Sequence, residues 1–448
     1  MKNLFIIIVI IACTSCKKFL DQKPDKSLAV PRTLQDLQAL LDNNNVMNFY
    51  VNNANGEAGA DNYYLTPSAY NTLFYQTDKN AYLWESDITS DKSPNDWAKL
   101  YRVVYYANTV LEAVNKSNGN NQNKNDRNNI MGSALFYRAQ SFHTLSLTWA
   151  KAYDSATASS GLGIPLRLNS DFNEPSVRSS LKQSYHQIIV DLESSIPLLP
   201  VTPKHPVRPS RTAAYALLSR VYLSMNNYEK ALLYADSALA LNNKLLNYNT
   251  LSTAANFPFA AFNDETIFYM VGAHGALIQS YARVDSVLYN SYQTNDLRKI
   301  LFFKSNNDGT YSFKGNYTNL ADQFVGMATD ELYLTKAECL ARAGNTSAAI
   351  TTLNTLLKTR WKTNTWTDLT ATSPTEALQI ILTERRKELL MRDLRWMDIK
   401  RLNREGANIA LVRNLNGQLY RLLPNDNRFA LSIPDYIIQL TGMPQNPR

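Results

Sequence analysis

The sequence predicts a mostly α-helical protein in which tetratricopeptide-like helical hairpins form a scaffold, a loop-rich face is inserted into it, and strands are few and short. Three observations predict this. Ser210 to Leu239 and Asp330 to Arg360 each read as two helices around a tight turn. Alanines stand at the helix crossings, Ala213, Ala214, Ala231 and Ala235 in the first and Ala337, Ala341, Ala348 and Ala349 in the second. Such small side chains let paired helices approach closely. Between the hairpins, Leu246 to Met327 loses helical periodicity and carries short aromatic runs such as Phe257-Pro258-Phe259 and Leu301-Phe302-Phe303.

The elements follow in chain order. Met1-Lys2-Asn3, an apolar run from Leu4 to Ala12 and Cys13-Thr14-Ser15-Cys16 form a secretory signal of the bacterial lipoprotein type over residues 1–15. The run is far shorter than the ~20 apolar residues that span a bilayer. Cys16 is the thiol that takes the lipid; Cys13 stands where most lipoproteins carry Leu, and an ordinary secretory signal is the alternative. Residues 16–31 are polar and form a tether. Thr33 offers an N-cap to a helix carrying Leu34, Leu37, Leu40 and Leu41. Residues 43–82, rich in Asn, Gly and Tyr, read as irregular loop.

A helix from Pro94 to Lys116 aligns Trp97, Leu100, Tyr101, Val104 and Leu111, and stops at Ser117-Asn118-Gly119. The next, Arg127 to Tyr153, looks like half of a third hairpin. Gly161-Leu162-Gly163 has no preceding strand and no helix start after it, so it reads as a turn into an extended segment and not as a phosphate cradle. Ser180 to Leu199 is helical until Pro197 and Pro200, and prolines punctuate the linker to Pro209. The hairpins turn at Met225-Asn226-Asn227 and Ala343-Gly344-Asn345. A charged helix from Pro374 to Glu405 and a Leu-, Asn- and Pro-rich tail complete the chain. The hairpins are scattered and not tandem, giving two halves, 32–245 and 246–448, of one globular unit.

The chemistry expected is recognition. The net charge of +8 is dispersed without a long Lys/Arg run, which argues against nucleic acid as partner. Cys339 alone remains once Cys13 leaves with the signal and Cys16 is acylated, so no disulfide forms within the chain, and Cys339 reads as a small buried hydrophobe. His143, His186, His205 and His274 lack metal spacing, no Gly-x-Ser-x-Gly elbow occurs, and neither cofactor nor metal is expected. Glu384 and Glu388 invite an acid–base reading, but Arg385, Arg386, Arg395 and Asp398 surround them. Cationic neighbours lower carboxylate pKa values, the opposite of what a general acid needs, so these six read as a structural ion network.

The 26 tyrosines suit stacking on sugar rings as well as helix packing. Trp97, Trp361 and Trp396 fall in or beside helices and read as structural. The candidates for ligand contact lie in the irregular segments: Tyr63, Tyr64, Tyr70, Tyr75 and Tyr82 in the first, Tyr281, Tyr289, Tyr292 and Tyr311 in the second. Each taken alone is also compatible with packing.

Several separated segments together resemble one family, the starch-utilisation-system D (SusD/RagB-like) proteins. They are Cys16-Lys17-Lys18-Phe19-Leu20-Asp21, Trp97-Ala98-Lys99-Leu100-Tyr101, Tyr106-Ala107-Asn108, Ala134-Leu135-Phe136-Tyr137-Arg138-Ala139, Gly163-Ile164-Pro165-Leu166, both hairpins, Glu384-Arg385-Arg386-Lys387-Glu388-Leu389 with Arg395 and Asp398, and the closing Gln445-Asn446-Pro447. Where the family often has Glu-Gly, Arg392-Asp393 stands here. The resemblance implies a non-catalytic outer-membrane lipoprotein, exposed at the cell surface. It would capture oligosaccharide and deliver it to a SusC-type TonB-dependent barrel. A surface glycosidase or peptidase, or a peptide-binding member of the family, remains the alternative.

Overall fold

The computed structural model describes residues 31, 33–90, 93–116, 123–273 and 281–448. The signal at 1–15, Cys16 and most of the tether lie outside them, as does His274.

Ten helices carry the scaffold: α1 (Leu34–Leu41), α2 (Asp96–Lys116), α3 (Lys124–Trp149), α4 (Leu181–Ser195), α5 (Arg211–Ser224), α6 (Tyr228–Leu241), α7 (Thr329–Arg342), α8 (Thr346–Leu357), α9 (Pro374–Glu388) and α10 (Arg395–Arg404). Their starts are written in local chemistry. Thr33 with Asp36 and Ser180 with Gln183 form reciprocal capping boxes at α1 and α4, while Ser210, Asn227 and Ser373 cap α5, α6 and α9. Each of α2 to α8 packs on its successor in the chain, and α9 lies against α7 and α8. The pairing of α6 with α7 holds although residues 242–328 intervene, so the two hairpins stack and the inserted segment is extruded to one side. Helix α3 is buried on every side from Gly132 to Trp149, which places it at the centre.

The hairpin turns match in detail. Asn226 and Gly344, each one residue before the next helix's N-cap, sit at φ 57 and φ 82. One hydrophobic cluster runs from Leu37 to Met443 and includes residues of both halves. Cys339 is buried in it, and burial pushes its thiol up to about 12, as suits an inert packing residue.

Three stretches differ from the sequence expectation. The single charged helix is two, α9 and α10, because Met391 and Asp393 take left-handed φ values of 57 and 63 between them. Asp393 occupies the position where the family often has Gly, and its backbone keeps a glycine-like conformation. Residues 43–82 contain four short helices, at Asn44–Met47, Ala54–Gly59, Pro67–Thr72 and Gln76–Leu83, and a strand at Tyr63–Leu65. The tail forms a β-hairpin, Leu411–Leu415 with Gln418–Leu422, closed by Asn416-Gly417 with positive φ at both residues.

Strands occur as two-stranded antiparallel ladders among the described residues. One of them joins the two irregular segments: Tyr63–Leu65 pairs with Ala282–Val284, in the register Tyr63 to Val284, Tyr64 to Arg283 and Leu65 to Ala282. The hairpin Phe303–Ser305 with Tyr311–Phe313 packs beside it, and the Ser312 hydroxyl donates to the Ala282 carbonyl at 3.5 Å.

Candidate functional site

The two irregular segments that carry the candidate aromatics, far apart in sequence, pair at this ladder. Strand alternation sorts them. Tyr63 and Leu65 point into the core, whereas Tyr64 points out and Arg283 stands opposite it, partly exposed. The N-cap Thr66 and Pro67 start the following helix, which carries Tyr70, and the turn after it presents Phe74 and Tyr75, their rings edge to face at 4.9 Å. Phe74 is 90% exposed, Tyr75 40% and Tyr64 36%.

Three of the expected contact residues are removed from the site by the structure. Tyr63, Tyr82 and Tyr292 are each 1% exposed. Their hydroxyls are committed inside: Tyr63 donates to the Ala58 carbonyl, Tyr82 accepts from the Leu65 N–H, and Tyr292 donates to the Lys387 carbonyl. Rings enclosed in this way have no face to offer a ligand. Tyr289 is half-buried and stacks on Tyr311 with centroids 3.6 Å apart, while the Lys299 ammonium lies 5.0 Å from its centroid. Tyr311 is half-buried as well. Tyr70 and Tyr281 are half-buried. Phe74, the most exposed of these rings, was missed by sequence reasoning that weighed tyrosines and tryptophans. The signal was its place beside Tyr75 in a segment without apolar periodicity.

Helices α9 and α10 tie down this ladder. Arg395 makes a two-pronged contact to the Asp61 carboxylate at 2.6 and 2.8 Å, and Arg386 reaches the Asp61 carbonyl at 2.8 Å and the Asp285 carboxylate at 3.2 Å. Asp61 and Asp285 flank the paired strands, so two arginines of the scaffold clamp both segments at once. Burial opposes ionisation of Asp61, yet Arg395 and Arg386 hold its carboxyl well below the ordinary range.

The remaining charges are locked in the interior. Fully buried Arg298 bonds Asp296, Glu384 and Glu388, and Arg360 bonds Glu388 and Glu265. Arg385 and Arg401 share Asp398, and despite its burial they keep that carboxyl below its usual range. Each of these carboxylates is paired with at least one arginine, and burial raises that of Glu265 above its ordinary range.

Two depressions lie elsewhere in the surface. A cavity of about 470 Å³ beside α10 has its polar groups engaged: Arg404 pairs with Asp154, Asn446 donates to the Trp149 and Leu431 carbonyls, and Lys400 donates to the Leu147 and Ala150 carbonyls at the end of α3. A groove of about 290 Å³ exposes Tyr105, Phe172 and Tyr436. There Arg167 is held by the Asp171 and Glu174 carbonyls and Ser170 by Glu112. Among the described residues no group of three or more His, Cys, Asp or Glu side chains is arranged to hold a metal. His143 is buried, and burial with Arg220 and Lys400 nearby pushes its pKa down to about 3.

Residues 18–223 match a family model described as starch-binding and associating with the outer membrane, and residues 279–429 match the model of the SusD family. Among solved structures, the fold is similar to that of a putative sugar-binding protein from Bacteroides vulgatus, with TM-score 0.77, 22% identity and coverage of 93% of this chain and 99% of that one. A SusD superfamily protein from Bacteroides fragilis gives TM-score 0.73 and 20% identity over 92% of this chain and 99% of its own. A protein described as a laminarin-binding SusD-like protein gives TM-score 0.66 and 17% identity over 92% and 97%. No curated protein matches the sequence.

Proposed function

This chain belongs to the SusD family, and from that premise we propose that it is a non-catalytic glycan-binding lipoprotein of the cell surface. Anchored to the outer membrane through Cys16, it captures oligosaccharide and delivers it to a SusC-type TonB-dependent barrel. The observation that carries the reading is the ladder of Tyr63–Leu65 with Ala282–Val284, which joins the segment carrying Tyr64, Tyr70, Phe74 and Tyr75 to the segment carrying Tyr281 and Tyr311. Exposed rings stack on the apolar faces of sugars, and side chains at their edges bond hydroxyls. The laminarin-binding neighbour supports a glycan as the ligand. Support for a receptor without catalysis comes from the carboxylates of α9 and α10, which are buried against arginines. No described helix is long and apolar enough to cross a membrane, in keeping with attachment through lipid.

The test is electrophoresis of the full chain, kept in detergent, through native gels containing single polysaccharides, followed by assay of released reducing ends. Retardation without release is expected. Retardation with release contradicts the receptor reading in favour of a glycosidase. Absence of retardation in every gel contradicts glycan capture by the isolated chain.

A further inference from the structure

Resting on the glycan-binding reading, we propose that the chain holds an auxiliary sugar platform outside the Tyr63–Leu65 ladder, where Tyr50 and Phe262 stack on a neutral glycan and Asp322 accepts from its hydroxyls. The backbone marks the place. Among the described residues other than glycine, asparagine and aspartate, four take a left-handed φ: Tyr50 at 61, Trp84 at 60, Phe262 at 57 and Met391 at 57. Such a conformation is costly for a bulky side chain and persists only where the surroundings hold it. Trp84 and Met391 are enclosed in the core. Tyr50 and Phe262 are each 43% exposed, so at these two positions the strained backbone presents a ring to solvent.

Three segments bring the groups together. Phe49 bridges Val271 in parallel, Val271 pairs with Phe324 and Gly272 with Gln323, so Tyr50 and Asp322 follow on the two outer rows at the same end. Phe262 rests on Tyr269 and His205, with ring centroids 4.4 and 4.6 Å away. Asp322 acts on the hydroxyls of both Tyr50 and Tyr269. Among the described residues no hydrogen bond joins these three groups and no cation pairs with the half-buried carboxylate, which burial raises above its ordinary range. A carboxylate only accepts hydrogen bonds. Adjacent hydroxyls of a sugar supply it with two donors while the apolar face of the ring lies on an aromatic side chain. A uronate would bring a second negative charge against Asp322, and the dispersed net charge of +8 disfavours a polycation. A neutral glycan meets both conditions.

The full chain in detergent is run through gels containing laminarin, amylopectin, polygalacturonate or glycol chitosan. The wild type is compared with Tyr50→Gly, Phe262→Gly and Asp322→Asn, and thermal melting reports folding. Glycine takes a left-handed φ without the penalty of a Cβ, and Asp322→Asn removes an unpaired charge. Tyr50→Gly and Asp322→Asn are therefore expected to melt no lower than the wild type. Expected are retardation of the wild type by laminarin or amylopectin and a roughly tenfold loss of affinity in each variant, short of the complete loss that removal of the ladder face would bring. Unchanged affinity in any of the three, or retardation by polygalacturonate or glycol chitosan alone, overturns the proposal and leaves glycan binding standing. A loss in Tyr50→Gly and Asp322→Asn that comes with a lowered melting temperature overturns it as well. Retardation in none of the gels overturns both.

Discussion

Glu57 lies in the short helix Ala54–Gly59 with one carboxyl oxygen accepting from the Asn62 amide and the other without a partner. Burial, with a smaller contribution from Asp61, pushes its pKa up to about 7 from an ordinary 4.5. The sign follows from linkage. A carboxyl whose folded pKa is raised contributes stability that is complete below the unfolded value and lost as pH rises through the folded one. The wild type should therefore lose about 3 kcal/mol more stability than Glu57→Gln between pH 4.5 and about pH 8, as measured by urea unfolding. Equal losses would contradict this. At this scale legibility was uneven. The alternation Tyr63 in, Tyr64 out follows from a two-residue period, but only once a strand is known to be there, and the Asn- and Gly-rich surroundings hid a strand of three residues. Asn416-Gly417 between apolar runs is a strong hairpin signal that a reading of the tail by composition passed over.

The hairpins were legible as elements because alanine spacing and turn chemistry are local. Gly344 at φ 82 has open space where a Cβ would stand, so Gly344→Ala should cost only backbone strain, about 1 kcal/mol. Asn226 sits at the matching position, and its side chain also donates to the Arg401 carbonyl at 3.1 Å. Asn226→Ala should therefore cost more, about 2 kcal/mol by chemical denaturation. The break between α9 and α10 was hidden, because charged residues continue through it at helical spacing. What marks it is the left-handed backbone at Met391 and Asp393, neither of which is a glycine. Sequence exposed the charges of the ion network but not their partners. Arg395 and Asp61 are separated by 334 positions, and no local pattern announces such a pair. Arg395→Met should lower stability by about 2 kcal/mol, less than for a fully buried pair because Asp61 is partly exposed. It should also weaken glycan binding while far-UV circular dichroism stays that of the helical scaffold. Unchanged binding would mean that the clamp does not set the geometry of the face.

In the whole molecule, stacked helices supply rigidity and the inserted segments supply surface. Residues 242–328 leave the stack between α6 and α7, yet return to pair with the segment that precedes α2, so the candidate aromatics of both segments rest on one support. Binding groups are commonly carried on loops held by a rigid scaffold. The fold class was open to sequence reasoning because periodicity and caps recur along the chain. The face was open only as a pool of tyrosines, because exposure depends on distant packing that no window of sequence contains. Its buried members, Tyr63, Tyr82 and Tyr292, lie beneath the proposed site, whose surface is formed by exposed Tyr64 and Phe74 with half-buried Tyr311. The most direct test is to replace those three surface rings by alanine together and run the full chain through the polysaccharide gel that retards the wild type. Loss of retardation with an unchanged melting temperature is the predicted result, and full retardation by the triple variant would place the glycan site elsewhere on the molecule.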